Sequence, residues 1–261
     1  MDKNFINLTP DNINNEHICC AISDKKHQIG VSCKKEWLKN QFNTSHIFRK
    51  LNERGKVFIE YCDIEDAWVP VLGENFVYIH CLWVAGSFKG TGYANELLNY
   101  CIEDAKNRGK SGICVLSSKK KKPYLSDKKF FAKYGFKLLD SINNEYELLG
   151  LTFDDTDILD KNTPHFSDSA KKMSIDDDVL TIYYSHQCPF VVNSIEEVSS
   201  YCSENNIDVN IILVDSLEKA KNLPCVFNNW AVFLNGKFES FSLLNKNSLK
   251  KLLDKKIKNN F

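Results

Sequence analysis

The chain has 261 residues, of which 43% are hydrophobic, and 34 basic residues balance 34 acidic ones. That length permits one large or two small domains with a buried core, and the zero net charge excludes a global field for nucleic acid. There is no apolar run of the roughly 18 residues that a membrane span needs, and the Met1-Asp2-Lys3-Asn4 start has no apolar export region. A cytoplasmic protein without nucleic-acid or membrane partners is therefore expected. Its ten cysteines are scattered and no pair has C-x-x-C spacing, so they read as reduced thiols and not as a disulfide frame or a zinc ribbon.

In chain order, 5–8 reads as a short strand. Thr9-Pro10-Asp11-Asn12 reads as a helix start, with Thr9 as N-cap and Pro10 in the first turn. A helix is expected over 34–42, and strands over 47–50, 56–61 and 67–71. An apolar strand over 76–84 follows. It leads through Phe88-Lys89-Gly90-Thr91-Gly92-Tyr93-Ala94 into a helix striped by Ala94, Leu97, Leu98, Cys101, Ile102 and Ala105 and ended by Gly109. Glycines at such a joint let a ligand approach the backbone, and the helix start, with about +0.5 charge, suits an anion such as a pyrophosphate. A buried strand at 112–118, a helix at 127–134 stopped by Gly135, and strands at 136–138 and 146–151 complete a first unit, 1–155.

Composition then turns acidic and polar, with a short apolar spot at Ile158-Leu159, and 156–177 reads as a linker. Beyond it, 178–261 is expected as a second unit. Strand 179–184, helix 190–202, strand 209–214 and helix 217–223 precede a hairpin of 230–234 and 237–241 around Asn235-Gly236. Leu249, Leu252, Leu253 and Ile257 mark a last helix. The order β-α-β-α-β-β-α is that of a glutaredoxin-like thioredoxin fold.

Ser87-Phe88-Lys89-Gly90-Thr91-Gly92, set between that strand and that helix, resembles the Arg/Gln-x-x-Gly-x-Gly/Ala pyrophosphate loop of the GNAT acyltransferases, with Ser87 as a departure at the first position. Phe130-Phe131-Ala132-Lys133-Tyr134-Gly135-Phe136 is similar to that family's Tyr-x-Lys-x-Gly-Phe helix. Four segments extend the resemblance over the whole chain: Glu16-His17-Ile18-Cys19-Cys20-Ala21-Ile22, Gly90-Thr91-Gly92-Tyr93, Ser117-Ser118-Lys119-Lys120-Lys121 and Ser185-His186-Gln187-Cys188-Pro189-Phe190. They look like the bacterial acetyltransferases that carry a YoaP-like C-terminal domain.

The resemblance implies an α/β (α+β) fold: a mixed GNAT sheet flanked by helices, followed by a small thioredoxin-like domain. It also implies acetyl-CoA as cosubstrate and a small-molecule or peptide amine as acceptor. Leu82, Trp83 and Val84 would hold the thioester, and Phe88 to Ala94 would cradle the CoA pyrophosphate. Phe131 takes the place of the family's proton-donating tyrosine, with Tyr124 and Tyr134 nearby. Lys119 to Lys122 either meet the CoA ribose phosphate or form a solvated loop.

Two strand residues qualify as general base. His80 has an unperturbed pKa of roughly 6.5, and Glu60 is the second choice. Packing competes with either role. In the Cys19-Cys20 pair one thiol is expected in the core and the other toward the site.

Cys188-Pro189-Phe190-Val191 matches the glutaredoxin pattern. A thiol at a helix N-terminus is expected to have a lowered pKa, with His186 as a neighbour. Val191 occupies the resolving position, so two-cysteine cycling within the motif is excluded. Cys225 is a candidate to approach Cys188. The expectation is therefore an acetyl-CoA-dependent N-acyltransferase with Cys188 as a further catalytic candidate. The alternatives are a thiol oxidoreductase or thiol sensor and a CoA-binding protein without activity.

Overall fold

The computed structural model describes residues 4–18, 20–22, 25–153 and 162–259. Cys19 and the Ile158-Leu159 spot lie outside them. The first unit opens with strand β1 (Phe5–Asn7). Residues 10–15 form turns where a helix start was expected. The Asn12 side chain accepts from the Thr9 N–H and donates to the Asn7 carbonyl, and these local bonds compete with helix formation. Helix α1 (Gln28–Gln41) begins six residues before the expected start.

Strands β2 (Ile47–Leu51) and β3 (Val57–Asp63) follow. The strand expected at 67–71 shrinks to β4 (Val71–Leu72), because Pro70 has no N–H for a ladder. Strand β5 (Phe76–Val84), helix α2 (Tyr93–Asn107), strand β6 (Gly112–Ser118), helix α3 (Lys128–Ala132) and strands β7 (Lys137–Ile142) and β8 (Tyr146–Thr152) complete this unit.

Its seven-stranded sheet runs β1-β2-β3-β5-β6-β8-β7, with β5 and β6 parallel and the other neighbours antiparallel. The α2 stripe Leu97, Leu98, Cys101 and Ala105 packs on Ile59, Tyr61, Val77 and Ile79. On the opposite face, Trp37 and Leu38 of α1 cover Phe48 and Phe58.

Two irregularities in β5 shape the site. Its pairing with β6 covers Phe76 to Ile79, whereas its pairing with β3 runs on to Val84. The sheet therefore splays open between β5 and β6. On the β3 side, Glu60 pairs with Cys81 and Tyr61 with Ile79, so His80 is the extra residue of a bulge. A bulge re-aims side chains, and here it brings both His80 and Cys81 to the same cavity.

The region expected as a linker is folded at 165–171. Strand β9 (His165–Phe166) pairs with β4, and helix α4 (Asp168–Lys171) is capped by the Ser167 hydroxyl. Phe166 and Ala170 are buried with Cys62, Ile64 and Tyr78, and the same cluster takes Val226 and Phe241 from the C-terminal unit. Two apolar residues in an acidic stretch are too few to show a period, yet they suffice to pin the segment down.

The C-terminal unit comprises β10 (Leu180–Tyr184), α5 (Val191–Glu204), β11 (Val209–Leu213), α6 (Leu217–Lys221), β12 (Trp230–Leu234), β13 (Lys237–Ser240) and α7 (Lys246–Asn259). Its sheet runs β11-β10-β12-β13, with β10 and β11 parallel. The β12–β13 turn places Asn235 and Gly236 at φ 50° and 74°, the handedness that an Asn-Gly hairpin requires. Val191, Val198, Cys202 and Leu249 cover one sheet face, and Ala220, Leu223 and Cys225 lie on the other.

The two units dock closely. The Lys221 ammonium donates to the carbonyls of Ile64 (2.6 Å) and Val71 (2.8 Å). The His27 ring meets Phe190 edge-on at 4.7 Å. At Gly30 an added Cβ would stand 1.9 Å from the Pro189 carbonyl oxygen, so α1 meets the start of α5 with no room for a side chain.

Candidate active site

A cavity of about 350 Å³ lies where the units meet. Glu60, His80, Cys81, Leu82 and Trp83 come from β3 and β5, with Cys20 and Lys34 beside them; Gln187 and Cys188 come from the C-terminal unit. A larger cleft of about 490 Å³ near Lys122, Tyr146 and Lys237 includes an ion pair between Lys122 and Glu145. The smaller cavity gathers the buried ionisable groups and is the candidate site.

Glu60 is its hub. Only 1% exposed, it accepts from Lys34 Nζ at 2.6 Å and Gln187 Nε2 at 3.0 Å, and its Oε1 lies 3.1 Å from His46 Nε2. Burial alone would push this carboxyl up, but the Lys34 ammonium and the His46 contact outweigh it, and Glu60 stays ionised. Burial opposes charge on Lys34 too, and Glu60 outweighs that as well. A carboxylate held so far below the usual range is a weak base. It is a fixed negative charge with acceptor capacity left for one more donor.

His80 departs from its expected role. Burial and the neighbouring His46 push its pKa down to about 3, so it is neutral at pH 7. Its Nε2 lies 3.2 Å from the Cys62 sulfur. Cys188 departs too. Its thiol is pushed up by burial, against the Phe190 and Val191 N–H groups and Lys34, which favour the thiolate. Desolvation outweighs the helix start here. His186 packs against the Tyr184 ring at 5.6 Å. Cys225 is fully buried in the cluster of Leu223 and Phe227, while Asn228 and Asn229 are the residues of its loop that reach the cavity. The nine described cysteines are free.

The glycine turn lies beyond the open end of β5. Gly90 and Gly92 have φ of 82° and 89°, a region that disfavours side chains. Gly92 precedes α2 without a side-chain cap, and the Cβ position at either glycine has no neighbour within 4 Å. The loop is anchored from beneath by Phe88, whose ring lies against Gly55 and meets Tyr93 edge-on at 5.7 Å. Lys89 is exposed, and Thr91 Oγ1 donates to the Phe88 carbonyl at 2.5 Å. Phe131 is 2% exposed and packs on Phe136, so its side chain fills the core. Lys121 pairs with Asp127 on the surface.

Tyr124 lines the cavity with its backbone at φ 63°, an unfavourable region for a tyrosine. The Asn228 amide of the C-terminal unit donates to its carbonyl. Lys34, His46 and Gln187 were missed in the sequence. The one available signal was Lys34, which shares the apolar α1 face of Val31, Trp37 and Leu38.

The profile of the GNAT acetyltransferase family matches residues 13–136, and that of the YoaP-like family matches residues 209–251. An uncharacterized N-acetyltransferase of Bacillus subtilis, YoaP, is 40% identical over 250 residues, covering 96% of this chain and 98% of that protein. Two solved structures are also similar. The PaiA N-acetyltransferase of Thermoplasma acidophilum, in complex with coenzyme A, has a TM-score of 0.42 and 15% identity over 59% of this chain and 100% of that one. The YhbS N-acetyltransferase of Escherichia coli, in complex with CoA, has a TM-score of 0.41 and 13% identity over 62% and 88%. No helix among the described residues is long and apolar enough to cross a membrane.

Proposed function

The chain belongs to the GNAT acetyltransferases that carry a YoaP-like C-terminal region, and from that premise we propose that it transfers an acetyl group from acetyl-CoA to an amine held between its two units. The observation that carries this reading is the cavity where the end of β5 that is unpaired toward β6, at Leu82 and Trp83, meets Glu60 and Cys188. The Gly90-Thr91-Gly92 turn and the start of α2 would cradle the pyrophosphate. The backbone of Leu82 to Val84, unpaired on its β6 side, would receive the thioester.

Glu60 holds the acceptor's ammonium form at its remaining lone pair. With Glu60 and His80 both poor proton acceptors, the amine gives its proton to water in the cavity before it attacks. The amine nitrogen then bonds to the acetyl carbon, the carbon–sulfur bond breaks, and the nitrogen gives up its second proton to the same water. Tyr124 is the one phenol among the lining residues. Tyr124 is 55% exposed and its partial desolvation raises its pKa, so it is protonated at neutral pH and able to protonate the departing CoA thiolate.

Sheet order β11-β10-β12-β13, with Cys188 just before α5, supports a thioredoxin-like reading of the C-terminal unit. In this reading Cys188 is a wall of the acceptor site, facing the same cavity as Cys20 and Cys81. CoA release measured over a panel of amines, in wild type and Glu60→Gln, tests the proposal. Acetylation of an amine that falls in the variant supports it. No transfer to any amine, together with no stabilisation by acetyl-CoA, overturns it.

A further inference from the structure

We propose that His46, Cys62 and His80 form a binding site for one divalent cation of the zinc class, set beneath the floor of the cavity. The three side chains come from separate places in the fold: His46 immediately precedes β2, Cys62 lies on β3 and His80 is the bulged residue of β5. Each offers one donor atom, and the three atoms lie within 4.8 Å of one another. Sulfur and imidazole nitrogen at tetrahedral angles around zinc, with bonds of about 2.3 and 2.0–2.1 Å, stand roughly 3.6 Å apart. The Cys62 sulfur and His80 Nε2 stand 3.2 Å apart, so an ion needs only small outward shifts of these two groups.

The donor set fixes the class of ion. One thiolate with two imidazoles is a borderline-soft N/S set that suits zinc and disfavours magnesium or calcium, which take oxygen ligands. All three residues are buried, at 6%, 0% and 9% exposure, so the site lies away from bulk water. Cys62 is a free thiol, and on binding its proton passes to solvent. Glu60 Oε1 is 3.1 Å from His46 Nε2, a carboxylate contact of the sort that orients ligating histidines. His80 also lines the cavity, and three ligands from the chain would leave a fourth position for water or a ligand. A closed structural site would instead take all four ligands from the chain. The competing reading is an S–H···N hydrogen bond between Cys62 and His80, with His46 serving only Glu60.

The test uses the full chain, stripped by a chelator and titrated with Zn²⁺ or Co²⁺ alone. The expected result is one ion per chain. X-ray absorption should show one sulfur and two imidazole nitrogens around zinc, and the cobalt form should show a thiolate-to-cobalt charge-transfer band. Cys62→Ser and His46→Gln should each weaken Zn²⁺ by more than about 100-fold, beyond the loss of a mere orienting partner. Cys114→Ser, at another buried cysteine of the same core cluster, should bind as wild type. The X-ray absorption readout needs no variant, so a misfolded Cys62→Ser leaves the test intact. Absence of stoichiometric binding, or a zinc shell without sulfur, would overturn the site in favour of the hydrogen bond.

Discussion

The side-chain amide of Gln187 donates to Oε1 of Glu60 at 3.0 Å, although 127 residues separate the two. One lies in the C-terminal unit and the other on β3. The charge at the centre of the cavity is thus positioned from both units. Gln187→Ala removes one of three partners from a buried carboxylate, a loss of about 1–3 kcal/mol. It should raise KM for the amine by roughly tenfold or more while leaving the acetyl-CoA Kd within twofold. Steady-state kinetics with each substrate varied separate the two constants, and an unchanged amine KM would remove Gln187 from the acceptor site.

Gly92→Glu should abolish acetyl-CoA binding. Gly92 sits at φ 89° directly before α2, so the change adds backbone strain, bulk and a negative charge where a pyrophosphate would lie. For wild type, acetyl-CoA at 100 times its Kd should contribute about 2.7 kcal/mol of stability, read as a rise in Tm. The variant should show no rise. A preserved shift would place the cosubstrate elsewhere.

Tyr124→Phe should lower kcat by about 10²-fold, within the range for loss of a general acid, with KM for acetyl-CoA little changed. Phe131 offers no proton and is sealed in the core. An unaltered kcat in Tyr124→Phe would show that the thiolate leaves without side-chain help.

Cys188 should alkylate slowly at neutral pH. Its thiol is pushed up by burial, so the thiolate forms only above the ordinary value of roughly 8.5. The rate constant for iodoacetamide at this site, followed by mass spectrometry, should climb through alkaline pH with no plateau near neutrality. A plateau at pH 6–7 would mean a thiolate poised for redox work.

Gly30→Ala should destabilise the protein, although alanine favours a helix over glycine by about 1 kcal/mol. The added Cβ would meet the Pro189 carbonyl oxygen at 1.9 Å, and backbone on both sides leaves nothing flexible to yield. Overpacking costs about 1–3 kcal/mol, a fall in Tm of roughly 3–10 °C. Cys188 alkylation should quicken as the units part. A stabilised variant would show that the contact is loose.

How far the site was legible depended on the range of the signal. Phe76–Val84 and Gly112–Ser118 stood out as apolar runs between glycine and polar punctuation, and the strands match those limits. The Gly90 and Gly92 turn was legible because its requirement is local, a positive φ before a helix. His80 was found, but its protonation depends on His46 and on burial, neither visible from its own strand. The same holds for Cys188: the helix start was legible and the desolvation was not. Gln187 could not be found, because its partner is 127 positions away. Lys34 left a trace, a cation on an apolar helical face, that pointed to a buried counterion without naming Glu60.

The core cluster that joins Cys62, Phe166, Val226 and Phe241 sets an order of events during synthesis. Chains emerge from the ribosome N-terminus first, and domains fold as they appear. The seven-stranded sheet is complete by Thr152, when neither Gln187 nor the apolar plugs at Val226 and Phe241 have yet been made. Until they arrive, Lys34 and His46 are the partners available to Glu60. The C-terminal unit is thus the last part of the cavity to be made, because Gln187, Cys188, Asn228 and Asn229 of its lining follow the whole of the first sheet in the chain.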